Sequence, residues 1–335
     1  MSFKLVPSGA ALFPPRGRRA TALAKTPKSR SAKTYPILIL FLALLFQGIL
    51  TGCSHLKKEP WETAPLKPDQ VEVTALQQES NLRVERVRFF SAEMNEPRFF
   101  LALIPQTKTP PADVFILNHG WFDRPEYLLT YLKVDEVYGE LLAQGKVRPA
   151  IVILPDVRFP NFYRVHSDRY PFPNYLTLVA EEVAKVASRQ YHIPLGREHW
   201  SIGGFSFGGY LSLDVARRYA GRFGSVSVVS GMSDGEWTYW PATPPPPGRL
   251  DAKGRGKQTI VEPGPIPRIF LACGTDDHLF SAMLVLHSRL TQAGIPHQWS
   301  TAPGGHTWRY WSSVLRPMFE FHLAPGDGAE KSAHQ

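Results

Sequence analysis

The sequence predicts an α/β domain: a mixed, mostly parallel central sheet with helices on both faces. Three observations point to it. Short runs of Val, Ile and Leu recur without polar interruption, amphipathic stretches of helical length separate them, and the first two runs follow one another as in a hairpin. Uninterrupted apolar runs suit strands buried on both sides, and their alternation with helices suits a parallel sheet. The hairpin-like start makes the sheet mixed.

The elements follow in order. Val84–Phe90 alternates and Phe99–Ile104 comes after it. Val114–Leu117 and Ala150–Leu154 read as buried strands flanking amphipathic Val134–Gln144. Tyr175–Arg189 is the next helical stretch, and Trp200–Ile202 runs into glycines ahead of helical Gly209–Tyr219. Val226–Val229 and Ile269–Ala272 are strands, Ala282–Ala293 is a helix, Gln298–Thr301 is a weaker strand, and Trp308–Phe321 is the last helix. Pro241–Pro267 breaks the alternation. It holds four consecutive prolines, Pro244 to Pro247, and no helical period, so it is expected to be a surface insertion between strands.

Composition removes several classes of function. The chain has 335 residues, 38 basic and 29 acidic, with 43% hydrophobic and 12% aromatic residues, which excludes a mostly disordered chain. The first 52 residues carry eight of the Lys and Arg and no Asp or Glu, so the remainder is nearly neutral, 30 against 29. A nucleic-acid binder carries its basic excess on the folded part, so no nucleic-acid partner is expected. The two cysteines, Cys53 and Cys273, exclude a disulfide framework and a Cys-rich zinc fold. The sequence has no Walker loop, no Gly-x-Gly-x-x-Gly and no His-Glu-x-x-His, so no cofactor and no metal is implied.

Residues 1–35 are basic and rich in Pro and Ser, and Ile37–Phe46 is an uninterrupted apolar run. The run is short for a free membrane span and has the length of a signal-peptide core. It leads into Leu50-Thr51-Gly52-Cys53, which resembles the lipobox of bacterial lipoproteins. The resemblance implies cleavage before Cys53, lipidation of its sulfur and attachment to a membrane of the bacterial cell envelope. Ser54, which is not Asp, implies the outer membrane if the cell has one. The other reading is an ordinary transmembrane anchor that happens to end in a cysteine. Residues 1–52 are thus expected to be a signal peptide, 53–70 a tether, 71–324 the catalytic domain with its 241–267 insertion, and 325–335 a solvated tail.

The strongest chemical signal is Gly204-Phe205-Ser206-Phe207-Gly208-Gly209, between a strand and a helix. A Gly-x-Ser-x-Gly in that setting is a nucleophile elbow: the serine sits in a sharp, strained turn at a helix N-terminus, and side chains at the flanking glycines would collide with neighbouring elements. Serine is a weak nucleophile at its own pKa and needs a base within hydrogen-bond reach. Downstream lie His278, His287, His297, His306, His322 and His334. His306, in Pro303-Gly304-Gly305-His306-Thr307-Trp308 between the last strand and last helix, occupies the expected place. His287 and His322 fall in helical stretches, His297 begins a strand, His334 is in the tail, and His278, beside the acid loop, is the rival.

The acid lies in Cys273-Gly274-Thr275-Asp276-Asp277, just after a strand. A carboxylate there fixes the imidazole tautomer and stabilises the imidazolium. Both aspartates are candidates, and one of the two is expected to cap the helix beginning near Phe280.

The elbow, the Cys-Gly-Thr-Asp-Asp loop and Gly-Gly-His-Thr-Trp together resemble the esterase family of α/β-hydrolases. It includes esterase D-like enzymes, feruloyl esterases, siderophore (enterochelin-type) esterases and mycolyltransferases. The resemblance covers about Val114 to Phe321. It implies an α/β-hydrolase fold and hydrolysis of a small carboxylic ester by Ser206, His306 and Asp277. In the family the acid is the last residue of its loop, which favours Asp277 over the alternative, Asp276. One oxyanion donor is then the N–H of Phe207. The second comes from the loop Asn118-His119-Gly120-Trp121-Phe122-Asp123, with Trp121 preferred and Gly120 and Phe122 as alternatives. His119 reads as a structural histidine tying loops together.

The rival functions are an acyltransferase of the mycolyltransferase type and a non-catalytic binding lipoprotein. Arg158, Tyr163, Arg164, His166 and Arg169 read either as a pocket rim for an aromatic or anionic acyl group or as a solvated loop. Trp237, Tyr239 and Trp240 line the pocket or pack under the insertion, and Cys273 reads as a small core residue.

Overall fold

The structure, a computed structural model, describes residues 58–78, 81–158, 172–231 and 264–325. The lipobox-like segment with Cys53, residues Tyr163 to Arg169, Trp237 to Trp240, His334 and nearly all of the proline-rich insertion and the tail lie outside the described residues.

The strands are β1 (Val71–Gln78), β2 (Leu82–Ser91), β3 (Glu96–Pro105), β4 (Asp113–Asn118), β5 (Ala150–Pro155), β6 (Trp200–Phe205), β7 (Ser225–Val229), β8 (Arg268–Gly274) and β9 (His297–Ala302). They form one sheet in the order β1-β2-β3-β5-β4-β6-β7-β8-β9. The pairs from β1 through β2 and β3 to β5 are antiparallel, and those from β5 through β4, β6, β7 and β8 to β9 are parallel. This is the mixed, mostly parallel sheet that the sequence predicts, in an α/β-hydrolase fold.

The helices are α1 (Pro60–Thr63), α2 (Pro125–Thr130), α3 (Val134–Ala143), α4 (Phe172–Thr177), α5 (Ala184–Tyr191), α6 (Phe207–Arg218), α7 (Phe280–Gln292) and α8 (Trp308–Leu323). Between α4 and α5, Leu178–Val183 forms π-helical turns, so the stretch expected as one helix is a helix with a π-bulge. Each sheet face has its own core. On one, Val114, Ile116, Ile202 and Val226 pack with Leu178, Leu211 and Met283. On the other, Phe115, Leu117, Val152 and Phe205 pack with Tyr138, Leu315 and Phe319. Central strands with apolar side chains on both faces have no polar alternation, which is why they read as continuous runs.

Three segments differ from expectation. Residues 60–66 are not a loose tether: Glu62 and Leu66 are buried, and Trp61 packs edge-on against Phe99 at 5.0 Å with Arg86 over its ring. β1 and α2 were not expected. β1 is an edge strand whose Val71, Val73 and Leu76 are exposed, so it has no buried face to mark it. Among the described residues no helix is long and apolar enough to cross a membrane.

Candidate active site

Ser206 sits between the end of β6 and the start of α6 with φ 53° and ψ −123°. A side chain rarely adopts a positive φ, and the geometry persists because the surroundings enforce it. The Ser206 N–H donates to Val229 O at 2.8 Å, and its carbonyl accepts from Gly209 and Tyr210 as α6 begins. A Cβ on Gly208 would overlap the carbonyl oxygens of Asn118 and His119, and one on Gly204 would overlap the Gly208 backbone. The glycines therefore allow the elbow to pack directly on the end of β4.

His306 precedes α8, whose N-cap, Thr307, accepts from Tyr310 N–H. Its Nε2 lies 2.9 Å from Ser206 Oγ, and its Nδ1 lies 3.0 and 3.1 Å from the two carboxylate oxygens of Asp277. Trp311 supports the imidazole edge-on at 5.0 Å. The His306 pKa is held below its ordinary value: burial disfavours the imidazolium, and the Asp277 charge and hydrogen bond oppose this only in part.

Asp277 follows β8 with its carboxylate fully buried. Besides meeting His306, it accepts the Leu279 N–H at 2.8 Å. Asp276 instead clasps Gly304 through its own N–H, at 3.0 Å, and its carboxylate, at 3.2 Å. The two aspartates do divide the work, but otherwise than expected. The residue facing the imidazole also receives the N–H ahead of α7, and its neighbour fixes the histidine loop. His278 is on the rim, 3.6 Å from the Asp277 carboxylate. Asp277, His278 and His306 are a group of potential metal ligands among the described residues.

The loop after β4 lies against Ser206: a Cβ on Gly120 would be 3.6 Å from Ser206 Cβ. His119 is fully buried, and its two ring nitrogens have separate partners. Nε2 accepts from Val157 N–H at 3.1 Å, which leaves the proton on Nδ1, and Nδ1–H donates to Gly120 O at 2.7 Å. Gly120 O also accepts from Asp123 N–H at 3.3 Å. Burial raises the pKa of the Asp123 carboxyl to about 6, and the Gly120 backbone opposes the rise only in part. Burial pushes His119 down to about 4, so it is neutral. Trp121 packs edge-on against Phe207, 5.4 Å away, joining this loop to the first residue of α6.

Sequence reasoning missed the support beneath the loop. Arg158 is buried, so it is neither a pocket rim nor part of a solvated loop. It donates to Asp156 at 2.7 and 3.0 Å and to Glu62 at 2.6 Å. Glu62 also receives Arg124, next to Asp123. Burial alone would raise the Asp156 carboxyl, but Arg158 and Arg98 more than offset it and hold its pKa at about 2. Cys273 is a buried free thiol, pushed up to about 12 by burial, as suits a small core residue.

Comparison with known proteins agrees with this architecture. The model of the family described as "Putative esterase" matches residues 91–322. An acetyl esterase of Caldicellulosiruptor saccharolyticus is 22% identical over 270 residues, spanning 72% of this chain and 98% of that one. A ferulic acid esterase structure aligns with TM-score 0.56 at 21% identity, over 76% of this chain and 98% of its own. A substrate-bound fluorophosphonate-binding serine hydrolase of Staphylococcus aureus aligns with TM-score 0.55 at 18% identity, over 73% and 100%. At such identities the structural likenesses establish the fold. The family match runs from the end of β2 into α8, over more than half of the chain, and on that basis the chain belongs to the esterase family of carboxylic ester hydrolases.

Proposed function

We propose that this chain hydrolyses small carboxylic esters through a Ser206–His306–Asp277 triad and a covalent acyl-enzyme. The observation that carries the reading is the continuous hydrogen-bonded line from Ser206 Oγ to His306 Nε2, 2.9 Å, and from His306 Nδ1 to Asp277, 3.0 Å. Ser206 Oγ attacks the ester carbonyl as His306 Nε2 takes its proton. Asp277 holds the ring with Nδ1 protonated, so that Nε2 is the acceptor, and stabilises the imidazolium. The same imidazolium protonates the departing alkoxide. His306 then takes a proton from water, which attacks the acyl-enzyme, and the acid leaves as Ser206 regains its proton. Burial keeps His306 neutral and therefore basic near pH 7.

The tetrahedral oxyanion is bound by the N–H groups of Phe207 and Trp121. Phe207 opens α6, where N–H groups and the helix dipole favour negative charge. In a trans peptide the N–H lies opposite the carbonyl. The Gly120 carbonyl is turned to His119 and Asp123, so the Trp121 N–H is on the other side of that peptide.

Replacing Ser206 by Ala tests the mechanism. Hydrolysis of p-nitrophenyl acetate should fall by about 10⁴-fold or more, with circular dichroism unchanged and fluorophosphonate labelling lost. Full activity in that variant would overturn it.

A further inference from the structure

Three side chains that can each offer one metal-binding atom converge at the mouth of the site: Asp277, His278 and His306, with those atoms all within 4.8 Å of one another. His306 Nδ1 is 3.0 Å from Asp277, His278 Nδ1 is 3.6 Å from the same carboxylate, and the two imidazole centroids are 4.6 Å apart. Zinc bound tetrahedrally at ~2.1 Å needs its ligand atoms about 3.4 Å apart, so two of the spacings are already close. The third is within 4.8 Å, and the His278 side chain, 69% exposed, has room to turn and shorten it. The same exposure gives an ion a path from solvent.

We propose that Asp277, His278 and His306 form an inhibitory binding site for a borderline transition-metal ion, Zn²⁺ above all. Two imidazoles and one carboxylate suit zinc or copper. Magnesium and calcium prefer an all-oxygen shell. The Asp277 carboxylate is already oriented by the Leu279 N–H, the kind of outer hydrogen bond that strengthens a metal ligand.

The chemistry of capture makes the site inhibitory. The ion sheds waters and takes the Nδ1 lone pairs of His278 and His306 and one Asp277 oxygen. His306 then carries its proton on Nε2 instead of Nδ1, with no net gain or loss of protons by the ring. The nitrogen facing Ser206 Oγ becomes a donor and cannot accept the serine proton. Inhibition thus rests on the triad reading, whereas binding of the ion does not.

Two measurements on the full chain test the proposal. Zn²⁺ titrated into p-nitrophenyl acetate hydrolysis should inhibit, Mg²⁺ at equal concentration should not, and EDTA should restore the rate. His278→Gln should keep its rate without zinc and need at least about tenfold more zinc for half-inhibition. Calorimetry with Zn²⁺ on Ser206→Ala, with and without His278→Gln, reads binding without turnover and should show the same loss of affinity. The paired histidines His287 and His297 stay intact in every variant, so zinc bound there cancels in the comparison. Equal zinc affinity with and without His278 sinks the site, whatever becomes of the catalytic reading. Binding that depends on His278 but leaves hydrolysis intact sinks the inhibitory role.

Discussion

The Nδ1–H of His119 donates to the carbonyl of Gly120 at 2.7 Å, and Val157 N–H occupies the other ring nitrogen. One buried, neutral imidazole in one tautomer thereby sets the orientation of the peptide that joins Gly120 to Trp121.

Replacing His119 with Phe keeps a ring in the space and removes both hydrogen bonds. The turnover number should fall by about 10- to 100-fold, less than the 10²–10³ for loss of an oxyanion donor outright, with KM nearly unchanged. Steady-state kinetics with p-nitrophenyl acetate measures this. An unaltered turnover number would detach His119 from catalysis.

Glu62 is the buried anion shared by Arg124 and Arg158. Removing one partner of a buried pair leaves charge without compensation and costs about 3–5 kcal/mol. Arg158 keeps Asp156 and Arg124 keeps Glu126, so Glu62→Ala should shift urea unfolding by less than that, about 1–3 kcal/mol. A shift under about 1 kcal/mol, the usual size for an exposed pair, would show the network to be well solvated.

Acidification should weaken the fold in a defined window. His119 and His322 are buried and neutral, their folded pKa values lowered chiefly by burial, His119 to about 4. Their full contribution to stability is present above pH ~6.5, the unfolded value. As pH falls, His119 costs about 1.4 kcal/mol per pH unit until about pH 4, and His322 adds to the loss in the same direction. Asp123 acts the other way, since its folded pKa is raised to about 6, and it returns a similar slope below that pH. Between pH 6 and 4 Asp123 therefore offsets much of the His119 loss, and His322 leaves the balance falling with pH. Urea midpoints measured at pH 7.5, 6 and 5 give the curve, and a flat one would contradict it.

If Cys53 is lipidated, Cys53→Ala should move the protein from the membrane to the soluble fraction and end incorporation of labelled palmitate. Retention of the variant in the membrane would favour an uncleaved anchor at Ile37–Phe46 instead.

The parts of the site legible in the sequence are those fixed by local geometry. The glycines around Ser206 report a turn that admits no side chains, and the last strand–helix loop marks His306. Asp277 and Asp276 have the same chemistry one residue apart, and their separation depends on which one packing turns toward the imidazole. Asp123 lies in the same loop as Gly120, but its N–H bond to the Gly120 carbonyl exists only once the turn is folded. Glu62 left no mark at all, because its meaning depends on arginines 62 and 96 residues further along the chain. Edge strand β1 was missed for lack of a buried face, and the π-bulge because a single extra residue barely disturbs helical periodicity.

The burial of α1 has a spatial corollary. Glu62 pins the segment only seven residues beyond Cys53 to the ring of charges under the loop after β4. If lipid holds Cys53, the intervening backbone fully stretched spans at most about 25 Å from Cys53 to Pro60. The enzyme would then graze close above its bilayer, working on molecules that pass near the surface.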